Sequence, residues 1–401
     1  MTALPLEGVR VLDLSRLLPG PFASLMLADF GADVIKVEDT GAGDYARAAP
    51  PYVNGAEESA KSAAFIALNR NKRSIRLDLK APEGREALLA LLPEADVVLE
   101  SFRPGVMERL GLGIDVLREH NPRIVHCAIS GFGQTGPLTQ RPGHDMNYLA
   151  LAGVLAMNGV RDGQPVIGGV QVADIGGGAQ MAVIGILTAL RHAERTGEGQ
   201  SVDVSMTDGA LSWTVMESAA ALQGEKPRRG HTLLTGNHLC YLPYACADGW
   251  ITIGALEPKF WQAFCRGVER EDLIPHQFDP PGSGAHAQVE EIARGRTREE
   301  WAAFGEQHDA CLEPVWELEE ALESRLVRER EMVVELDQPG ATDPVRALGV
   351  PIKLSATPGD VHRRPAPSLG EHTEEVLRDA GLDDERIAAL IATGAAGTIP
   401  G

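Results

Sequence analysis

The sequence lacks the usual features of secreted and membrane-spanning proteins. Its 401 residues include five cysteines with no C-x-x-C pair, so a disulfide framework is not indicated. The longest strongly apolar run, near residues 181–190, is shorter than the roughly 20 residues that a membrane-spanning helix needs. The opening stretch, MTALPLEGVRVLDLS, lacks the basic and apolar regions of a signal peptide. These absences predict a cytoplasmic protein with reduced thiols and no membrane partner.

Positive charge is also scarce. The chain has 37 Lys and Arg against 57 Asp and Glu, which gives a formal net charge of -20. Nucleic-acid-binding proteins are usually basic, so that class is excluded, and any phosphate-bearing ligand must meet a local group of basic residues. Hydrophobic residues make up 44% of the chain, enough for a large core, and the length favours two domains.

Strands and helices alternate over the first 130 residues. The predicted strands are 9–14, 33–38, 73–79, 96–100, 123–130 and 201–206, and the predicted helices are 21–31, 82–93, 146–159, 175–194 and 207–223. This alternation predicts an α/β fold with a mainly parallel, Rossmann-like sheet flanked by helices. The linker GEKPRRG, followed by new short strands at 241–246 and 250–254 with several helices, predicts a smaller α+β domain. We therefore expect a large domain over 1–222, a small domain over 223–335, and a return to the large domain over 336–401.

A glycine-rich stretch, GFGQTG at 131–136, matches the G-x-G-x-x-G pattern of dinucleotide-binding enzymes. The context of that fingerprint is missing, because Pro137 follows, no long helix starts there, and the stretch comes after a late strand instead of the first. We interpret Gly131, Gly133 and Gly136 as a turn that needs positive φ angles.

Three acid–base candidates stand at predicted helix starts. His144 precedes Asp145, Asp174 precedes three glycines, and Glu257 precedes Pro258. Each has a plain structural alternative, a helix cap or first-turn acid for Asp145, Asp174 and Glu257, and a polar loop residue for His144. In the functional alternative, His144 is a general base whose pKa lies near the working pH. Gly176–Gly178 would then leave room for a ligand oxygen, at about 1 kcal/mol of helix stability each.

Several long motifs together resemble the class III CoA transferases, the CaiB/BaiF family, over nearly the whole chain. They are PGPFASLMLADFGADVIKVE, NRNKRSIRLDLK, RPGVMERLGLG, PGHDMNY, ADIGGG, TGEGQSVDVSMTDG, GALEPKFW, DACLEPV and GEHTEEVL. The resemblance implies an acyl-CoA substrate, with coenzyme A as part of the substrate and no separate cofactor or metal. It also implies a homodimer whose two chains are interlocked.

The resemblance also implies which residues act. Asp174 matches the family aspartate, His144 matches the histidine of racemases of the α-methylacyl-CoA type, and Glu257 matches the glutamate that supports it. It places the CoA-binding residues in the strand-end loops and in the G-H-D-x-N-Y motif, namely Lys72, Leu77, Asp78, Leu79, Lys80, Arg103, Arg109, Gly143, Asp145, Asn147 and Tyr148. The basic residues around the strand at 73–79, which include Arg70 and Arg73, favour a phosphate-binding edge because crevices form at strand carboxyl ends.

Two chemistries are open within the family. A racemase of 2-methylacyl-CoA would move a proton between His144 and Asp174 through an enolate, stabilised by backbone N–H groups near Gly176 or Asp145. A CoA transferase would use Asp174 as a nucleophile. His144, Glu257 and Leu18, which stands where formyl-CoA transferases carry glutamine, favour the racemase. Departures from the racemase pattern are LTGNHLCY at 234–241 and Asp39, which replaces a basic residue. The third alternative, a catalytically silent acyl-CoA-binding protein, leaves these groups without a role.

Overall fold

A computed structural model describes residues 3–53 and 62–400 and divides the chain into two compact units. The first unit comprises described residues of 1–152, 170–213 and 325–401, and the second comprises 153–169 and 214–324. The two units alternate along the chain in five segments, and the predicted three-part order with junctions at 222/223 and 335/336 stays a prediction. The predicted helix 207–223 is two helices, and the chain leaves the first unit between them. Residues 153–169, predicted in the large domain, group with the second unit.

Within the described part of the chain, twelve strands form three sheets. They are β1 Arg10–Asp13, β2 Asp33–Glu38, β3 Lys72–Leu77, β4 Val97–Glu100, β5 Val125–Ser130, β6 Ser201–Ser205, β7 Tyr241–Ala245, β8 Trp250–Gly254, β9 Leu312–Pro314, β10 Val333–Leu336, β11 Val345–Leu348 and β12 Ala396–Gly397. Every strand predicted from the sequence is present within two residues at each end, and β9 to β12 were not predicted.

Helices occupy most of the remaining regular structure. They are α1 Pro19–Asp29, α2 Ala63–Asn69, α3 Pro82–Leu91, α4 Val106–Arg109, α5 Ile114–His120, α6 Asp145–Leu151, α7 Val154–Met157, α8 Met181–Thr196, α9 Met206–Ser212, α10 Val215–Leu222, α11 Pro258–Gly267, α12 Gly284–Arg294, α13 Arg298–Gln307, α14 Leu318–Leu322, α15 Arg325–Glu329, α16 Thr373–Asp379 and α17 Asp384–Thr393. A π-helical segment, Val172–Gln180, leads directly into α8.

The main sheet has seven strands in the order β12-β3-β2-β1-β4-β5-β6. All neighbours are parallel except β12, which pairs antiparallel with β3. The order 3-2-1-4-5-6 is that of dinucleotide-binding folds, and the direction of winding reverses between β1 and β4. The predicted mainly parallel sheet flanked by helices is therefore confirmed, and ligands are expected at the carboxyl ends of β1 and β4.

The core follows from strands that are buried on both faces. Val97, Val98 and Leu99 of β4 have 0% exposure, as a parallel sheet covered by helices requires. Each such side chain contributes about 1.5–3 kcal/mol relative to its exposed state. Helices α16 and α17 add Val376, Leu377 and Leu390 to the same apolar cluster, which explains why the end of the chain returns to this unit.

The second unit has its own core around the three-stranded antiparallel sheet β7-β8-β9. Trp261 and Trp301 are fully buried there with Phe264, and the Trp261 indole N–H donates to the Leu273 carbonyl at 3.1 Å. An antiparallel sheet with helices is the predicted α+β arrangement.

The helical run Val172–Thr196 is the one stretch of the described residues that is long and apolar enough to span a membrane by length and composition alone. It contacts β5 and α1, and Ala182, Ile186 and Ala189 on its inner face are buried. One face of this run therefore packs into the core of the first unit.

The three glycines of the π-helical segment serve helix packing. A Cβ on Gly177 would lie 2.7 Å from the Met206 carbonyl oxygen, and one on Gly176 would lie 2.4 Å from the Trp213 ring. A Cβ on Gly178 would meet the Met206 side chain at 2.9 Å. This corrects the prediction that the glycines make room for a ligand, because the space is filled by α9 and the residue after it.

We expect Gly209→Ala to lower the free energy of unfolding by about 1–3 kcal/mol, the usual range for overpacking. Its Cβ would lie 2.2 Å from the Gly177 carbonyl oxygen, and backbone cannot rotate away as a side chain can. Denaturant unfolding measures the change. Gly284→Ala is the control, since nothing lies within 4 Å of that Cβ, and equal stability of the two variants would contradict the helix-crossing role.

Candidate active site

A cavity of about 690 Å³ opens in the first unit at the carboxyl ends of β1, β4 and β5. We call it the large cavity, and it is lined by residues 16–19, Tyr45, 101–104, 129–131, Thr139, 141–144, Asn147, Tyr148, Asp174 and Met206. Its position at the reversal between β1 and β4 is where ligands bind in open α/β sheets.

His144 and Asp174 line this same cavity. His144 is the N-cap residue of α6, where its backbone N–H donates to Asn147 Oδ1 at 3.0 Å, and its side chain is exposed. Asp174 lies in the first turn of the π-helical segment, after the N-cap Gln171, and is half-buried. The predicted pair is thus brought to one cavity, with an imidazole from one helix start and a carboxyl from another.

Asp145 connects the two helix starts. One oxygen of its carboxylate accepts the backbone N–H groups of Ala173 at 2.7 Å and Asp174 at 3.1 Å. The predicted cap role of Asp145 therefore applies to the π-helical segment, while His144 is the N-cap of α6. Asp145 does not line the large cavity, so its carboxylate positions Asp174 and is not placed to contact CoA.

The surroundings of Asp174 favour its protonated form. Burial, followed by the negative charge of Asp145, raises the pKa of Asp174 to about 6, and His144 acts in the opposite direction. A carboxyl with a pKa close to neutral can both give and accept a proton near neutral pH. Perturbed carboxyls of this kind are concentrated at catalytic sites.

We expect Asp145→Asn to move the acidic limb of the pH–activity profile to lower pH. The substitution keeps an oxygen that accepts both N–H groups but removes the charge that raises the pKa of Asp174. Losing this negative charge lowers the pKa of the Asp174 carboxyl, so the limb that reports its ionisation moves to lower pH. A limb that stays at the same pH would show that Asp145 acts only through the helix cap.

The Tyr148 ring leaves no room for a side chain at two glycines of this region. A Cβ on Gly131 would lie 2.4 Å from the Tyr148 ring, one on Gly143 would lie 2.7 Å from it, and the Tyr148 hydroxyl donates to the Gly143 carbonyl at 2.5 Å. Burial and the charge of Asp174 raise the pKa of Tyr148 to about 12, so it stays a neutral donor. Gly133 and Gly136 have φ angles of 83° and 92°, which confirms the turn in place of a dinucleotide loop.

A second cavity of about 180 Å³ lies beside the large one, and we call it the small cavity. It is lined by Leu14, Arg16, 37–39, 77–80, Phe102, Val106 and Leu110. The structure thus brings the predicted CoA-binding residues Leu77, Asp78, Leu79 and Lys80 to one cavity. The other predicted contacts Gly143, Asn147, Tyr148 and Arg103 line the large cavity.

Three of the basic residues near β3 are structural. Lys72 is fully buried, and its Nζ donates to the Pro21 carbonyl at 2.9 Å, Ser24 Oγ at 2.8 Å and Asn69 Oδ1 at 3.0 Å. Arg70 pairs with Asp29, and Arg73 pairs with Asp33, with Nη2 to Oδ2 distances of 2.6 Å in both pairs. This corrects the prediction that Lys72 binds CoA, because its side chain points into the core beneath α1.

Two predicted residues, Arg109 and Glu257, are absent from the lining of both cavities. Arg109 ends α4 with an exposed side chain and lines neither cavity, so its predicted CoA contact is not supported. Glu257 is the N-cap residue of α11 in the second unit and makes no side-chain cap hydrogen bond, so it is not the first-turn acid of the plain alternative, and its support of His144 stays a prediction.

Sequence reasoning missed Arg16 and Arg141, which both line the large cavity. Arg16 follows β1 directly, so its position at the first strand end beside the reversal of the sheet was a usable signal. Arg141 lies in an irregular loop, and no sequence pattern marks it. Within 3–53 and 62–400, no group of three or more His, Cys, Asp or Glu residues could hold a metal ion.

A family model, curated relatives and solved structures all match this chain over most of its length. A family model described as CoA-transferase family III matches residues 6–373. A succinyl-CoA:mesaconate CoA-transferase of Haloarcula marismortui is 39% identical, covering 94% of this chain and 97% of that protein. An alpha-methylacyl-CoA racemase of Mus musculus is 37% identical, covering 96% of each. A crystal structure of a CAIB/BAIF family protein from Brucella suis superposes with a TM-score of 0.80 at 30% identity, covering 94% of this chain and 100% of that one.

Proposed function

Because the chain belongs to CoA-transferase family III, we propose that it is an acyl-CoA racemase that inverts the α-carbon of a 2-methylacyl-CoA thioester. The observation that carries this proposal is that His144 and Asp174 line one cavity and interact electrostatically. An imidazole and a carboxyl are two groups that can exchange acid and base roles with the direction of reaction.

The mechanism moves one proton off the α-carbon and another onto it. In one direction neutral His144 removes the proton, the thioester becomes an enolate, and protonated Asp174 delivers a proton to the opposite face. In the other direction the Asp174 carboxylate is the base and protonated His144 is the acid. Each turnover leaves the pair with one proton in total, so the enzyme is ready for the reverse reaction. The pKa of Asp174 near 6 keeps both of its forms accessible near neutral pH.

The enolate oxygen needs a hydrogen-bond donor. The backbone N–H of Asp174 is taken by the Asp145 carboxylate, and Gly176 is packed on Trp213. We propose the backbone N–H of Asp145 as the donor, because its neighbours His144 and Asn147 line the large cavity and, within the described residues, only the Asp145 carboxylate is engaged elsewhere, by Ala173 and Asp174. One such donor is worth about 3 kcal/mol in the transition state.

The test is deuterium exchange. The protein is incubated with one enantiomer of a 2-methylacyl-CoA in deuterated water, without an acceptor acid. We expect deuterium at the α-carbon together with loss of optical purity. A protein that binds the thioester without exchange would be an acyl-CoA-binding protein, and a protein that neither exchanges nor inverts would not be a racemase.

CoA transfer between an acyl-CoA and a carboxylic acid is the second candidate. Arg103 and Arg141 on the cavity wall suit an anionic acceptor, and the H. marismortui relative bears a transferase name. The Asp174 carboxylate would attack the thioester carbonyl and release CoA thiolate, leaving an acyl-aspartyl anhydride; the thiolate would then attack the Asp174 carbonyl, release the donor acid and leave an aspartyl-CoA thioester. The acceptor carboxylate would displace CoA thiolate from this thioester to form a second anhydride, and the thiolate would attack its acyl carbonyl, giving the new acyl-CoA and free Asp174. Hydroxylamine-sensitive CoA on Asp174 in the presence of an acceptor, without α-exchange, would establish transfer in place of racemisation.

We place this activity in a cytoplasmic homodimer. Ile184 on the outer face of α8 is 59% exposed and Trp213 after α9 is 51% exposed, and a second chain would cover such apolar side chains. A monomeric mass in sedimentation would contradict the dimer.

A further inference from the structure

Arg16 stands where the two cavities of the first unit meet. Its side chain lines the large cavity with His144 and Asp174, and it also lines the small cavity with Leu77–Lys80. Among the basic side chains that line these cavities, Arg103 and Arg141 face only the large one and Lys80 only the small one. Arg16 and Phe102 are the two described residues that line both cavities; we call this shared wall the passage, and Arg16 is its cation among the described residues.

The contacts of Arg16 hold it at this passage but leave it accessible. Its Nη2 is 2.9 Å from Asp39 Oδ2, its guanidinium carbon is 5.6 Å from the centre of the Tyr45 ring, and its backbone N–H donates to Ser101 Oγ at 3.4 Å. A third of the Arg16 side chain is exposed. An arginine in an exposed pair with one carboxylate can exchange that partner for another anion, because such pairs contribute little net stability.

The Asp39 carboxylate keeps hydrogen-bond partners when the Arg16 guanidinium moves away from it. Its other oxygen, Oδ1, accepts the backbone N–H groups of Gly41 at 2.9 Å and Gly43 at 3.2 Å. The side chain is 41% exposed, so water can solvate Oδ2 when the guanidinium moves.

Two other cations nearby, Lys36 and Arg76, already have partners within the protein. Lys36 is fully buried, with Nζ 2.8 Å from Asp44 Oδ2, and the Arg76 guanidinium donates to backbone carbonyls of Thr40 and Thr398. With Lys72 also buried in the core, a ligand that runs from one cavity to the other meets Arg16 at the passage.

We propose that the Arg16 guanidinium binds the diphosphate of coenzyme A, exchanging the Asp39 carboxylate for phosphate oxygens when CoA binds. The inference rests on the proposed CoA-thioester substrate, whether the chemistry is racemisation or transfer. With the thioester in the large cavity and the nucleotide at the small one, the diphosphate between them crosses the passage. The planar guanidinium donates two parallel N–H bonds to phosphate as it does to carboxylate. No covalent step is involved.

The test compares three ligands by isothermal titration calorimetry: free coenzyme A, 3′-dephospho-coenzyme A, which keeps the diphosphate, and pantetheine, which lacks it. Arg16→Met keeps the apolar stem and removes the charge. We expect it to weaken binding of both diphosphate ligands by about 10- to 100-fold, the range for hydrogen bonds to charged groups. Binding of pantetheine should not change.

Two further variants sharpen the test. Arg378→Met is the matched control, because Arg378 pairs with Asp384 at 2.9 Å on the surface and lines neither cavity, and it should bind all ligands like the wild type. Asp39→Asn keeps the turn acceptor but removes the competing charge, so it should bind coenzyme A several-fold more tightly. Unchanged or weaker binding in this variant would contradict the exchange of partners.

The outcomes separate this inference from the proposed function. Equal coenzyme A affinity in wild type and Arg16→Met, or an equal loss for pantetheine, would overturn the role of Arg16. A loss for coenzyme A but not for the dephospho form would move Arg16 to the 3′-phosphate and overturn the diphosphate assignment. A wild-type protein that binds none of the three ligands would instead refute the CoA-thioester function itself.

Discussion

His144→Ala is expected to abolish inversion of the α-carbon in both directions while leaving one half of the exchange chemistry intact. With the imidazole gone, the enantiomer whose proton faces residue 144 can no longer be deprotonated, and its deuterium exchange should fall by about 10²- to 10⁴-fold. The other enantiomer still presents its proton to Asp174, so exchange there should persist with retention of configuration. Asp174→Asn should give the mirror-image result.

Chiral analysis and mass spectrometry of each enantiomer in deuterated water measure both effects. The control is His120→Ala, which removes an exposed histidine of α5 whose Nδ1 contacts the Val116 carbonyl and which lines neither cavity. Full inversion by the His144→Ala protein would contradict the two-base mechanism. Loss of CoA transfer in Asp174→Asn but not in His144→Ala, with no exchange in the wild type, would support the transferase.

The strands could be predicted because each is marked by a local run of residues. The acid–base pair could be predicted because its motifs follow one another in a recognisable order along the chain. Apolar β-branched runs such as β4 predict buried parallel strands, and the order of motifs around His144 and Asp174 identifies the family. The sheet then brings the ends of β1, β4 and β5 to one crevice, which is a general consequence of the winding order.

Side-chain direction could not be predicted in the same way. Lys72 and Arg73 are adjacent and equally basic, but successive residues of a strand point to opposite faces, so one enters the core beneath α1 and the other meets Asp33. Gly177 is similarly ambiguous, because a glycine that admits a ligand and one that admits another helix look identical in a sequence. The contact that decides this, with Gly209, lies 32 positions further along the chain.

Arg16 was overlooked because its pairing with Asp39 depends on how β1 and β2 lie side by side. The two residues come just after neighbouring parallel strands whose registers align Asp13 with Lys36. Asp39, which replaces a basic residue, puts a carboxylate oxygen 2.9 Å from the Arg16 guanidinium, a pairing that the sequence does not show.

Lys72→Met is expected to lower the free energy of unfolding by about 3–5 kcal/mol, the cost of breaking a buried ion pair from one side. The Lys72 amine contacts the Pro21 carbonyl, Ser24 and Asn69, and it lies 3.5 Å from the fully buried carboxylate of Asp13. Burial lowers the pKa of Lys72 to about 7 against the opposing charge of Asp13, so the full loss is expected below pH 7, where the amine is charged. Burial would raise the pKa of Asp13, but the charges of Lys72 and Lys36 outweigh it and lower that pKa, so removing Lys72 leaves a buried carboxylate with less compensation. Denaturant unfolding monitored by circular dichroism measures the loss.

Two companion variants separate stability from ligand binding. Lys80→Met, at an exposed position that lines the small cavity, should unfold like the wild type but bind coenzyme A more weakly. Asp13→Asn combined with Lys72→Met should recover part of the lost stability, because a neutral pair carries no uncompensated charge. The folded fraction of either Lys72 variant should bind coenzyme A with wild-type affinity, since the lysine lies in the core and lines neither cavity. Reduced affinity at unchanged stability in Lys72→Met would instead return this lysine to the ligand-binding role that the sequence predicted.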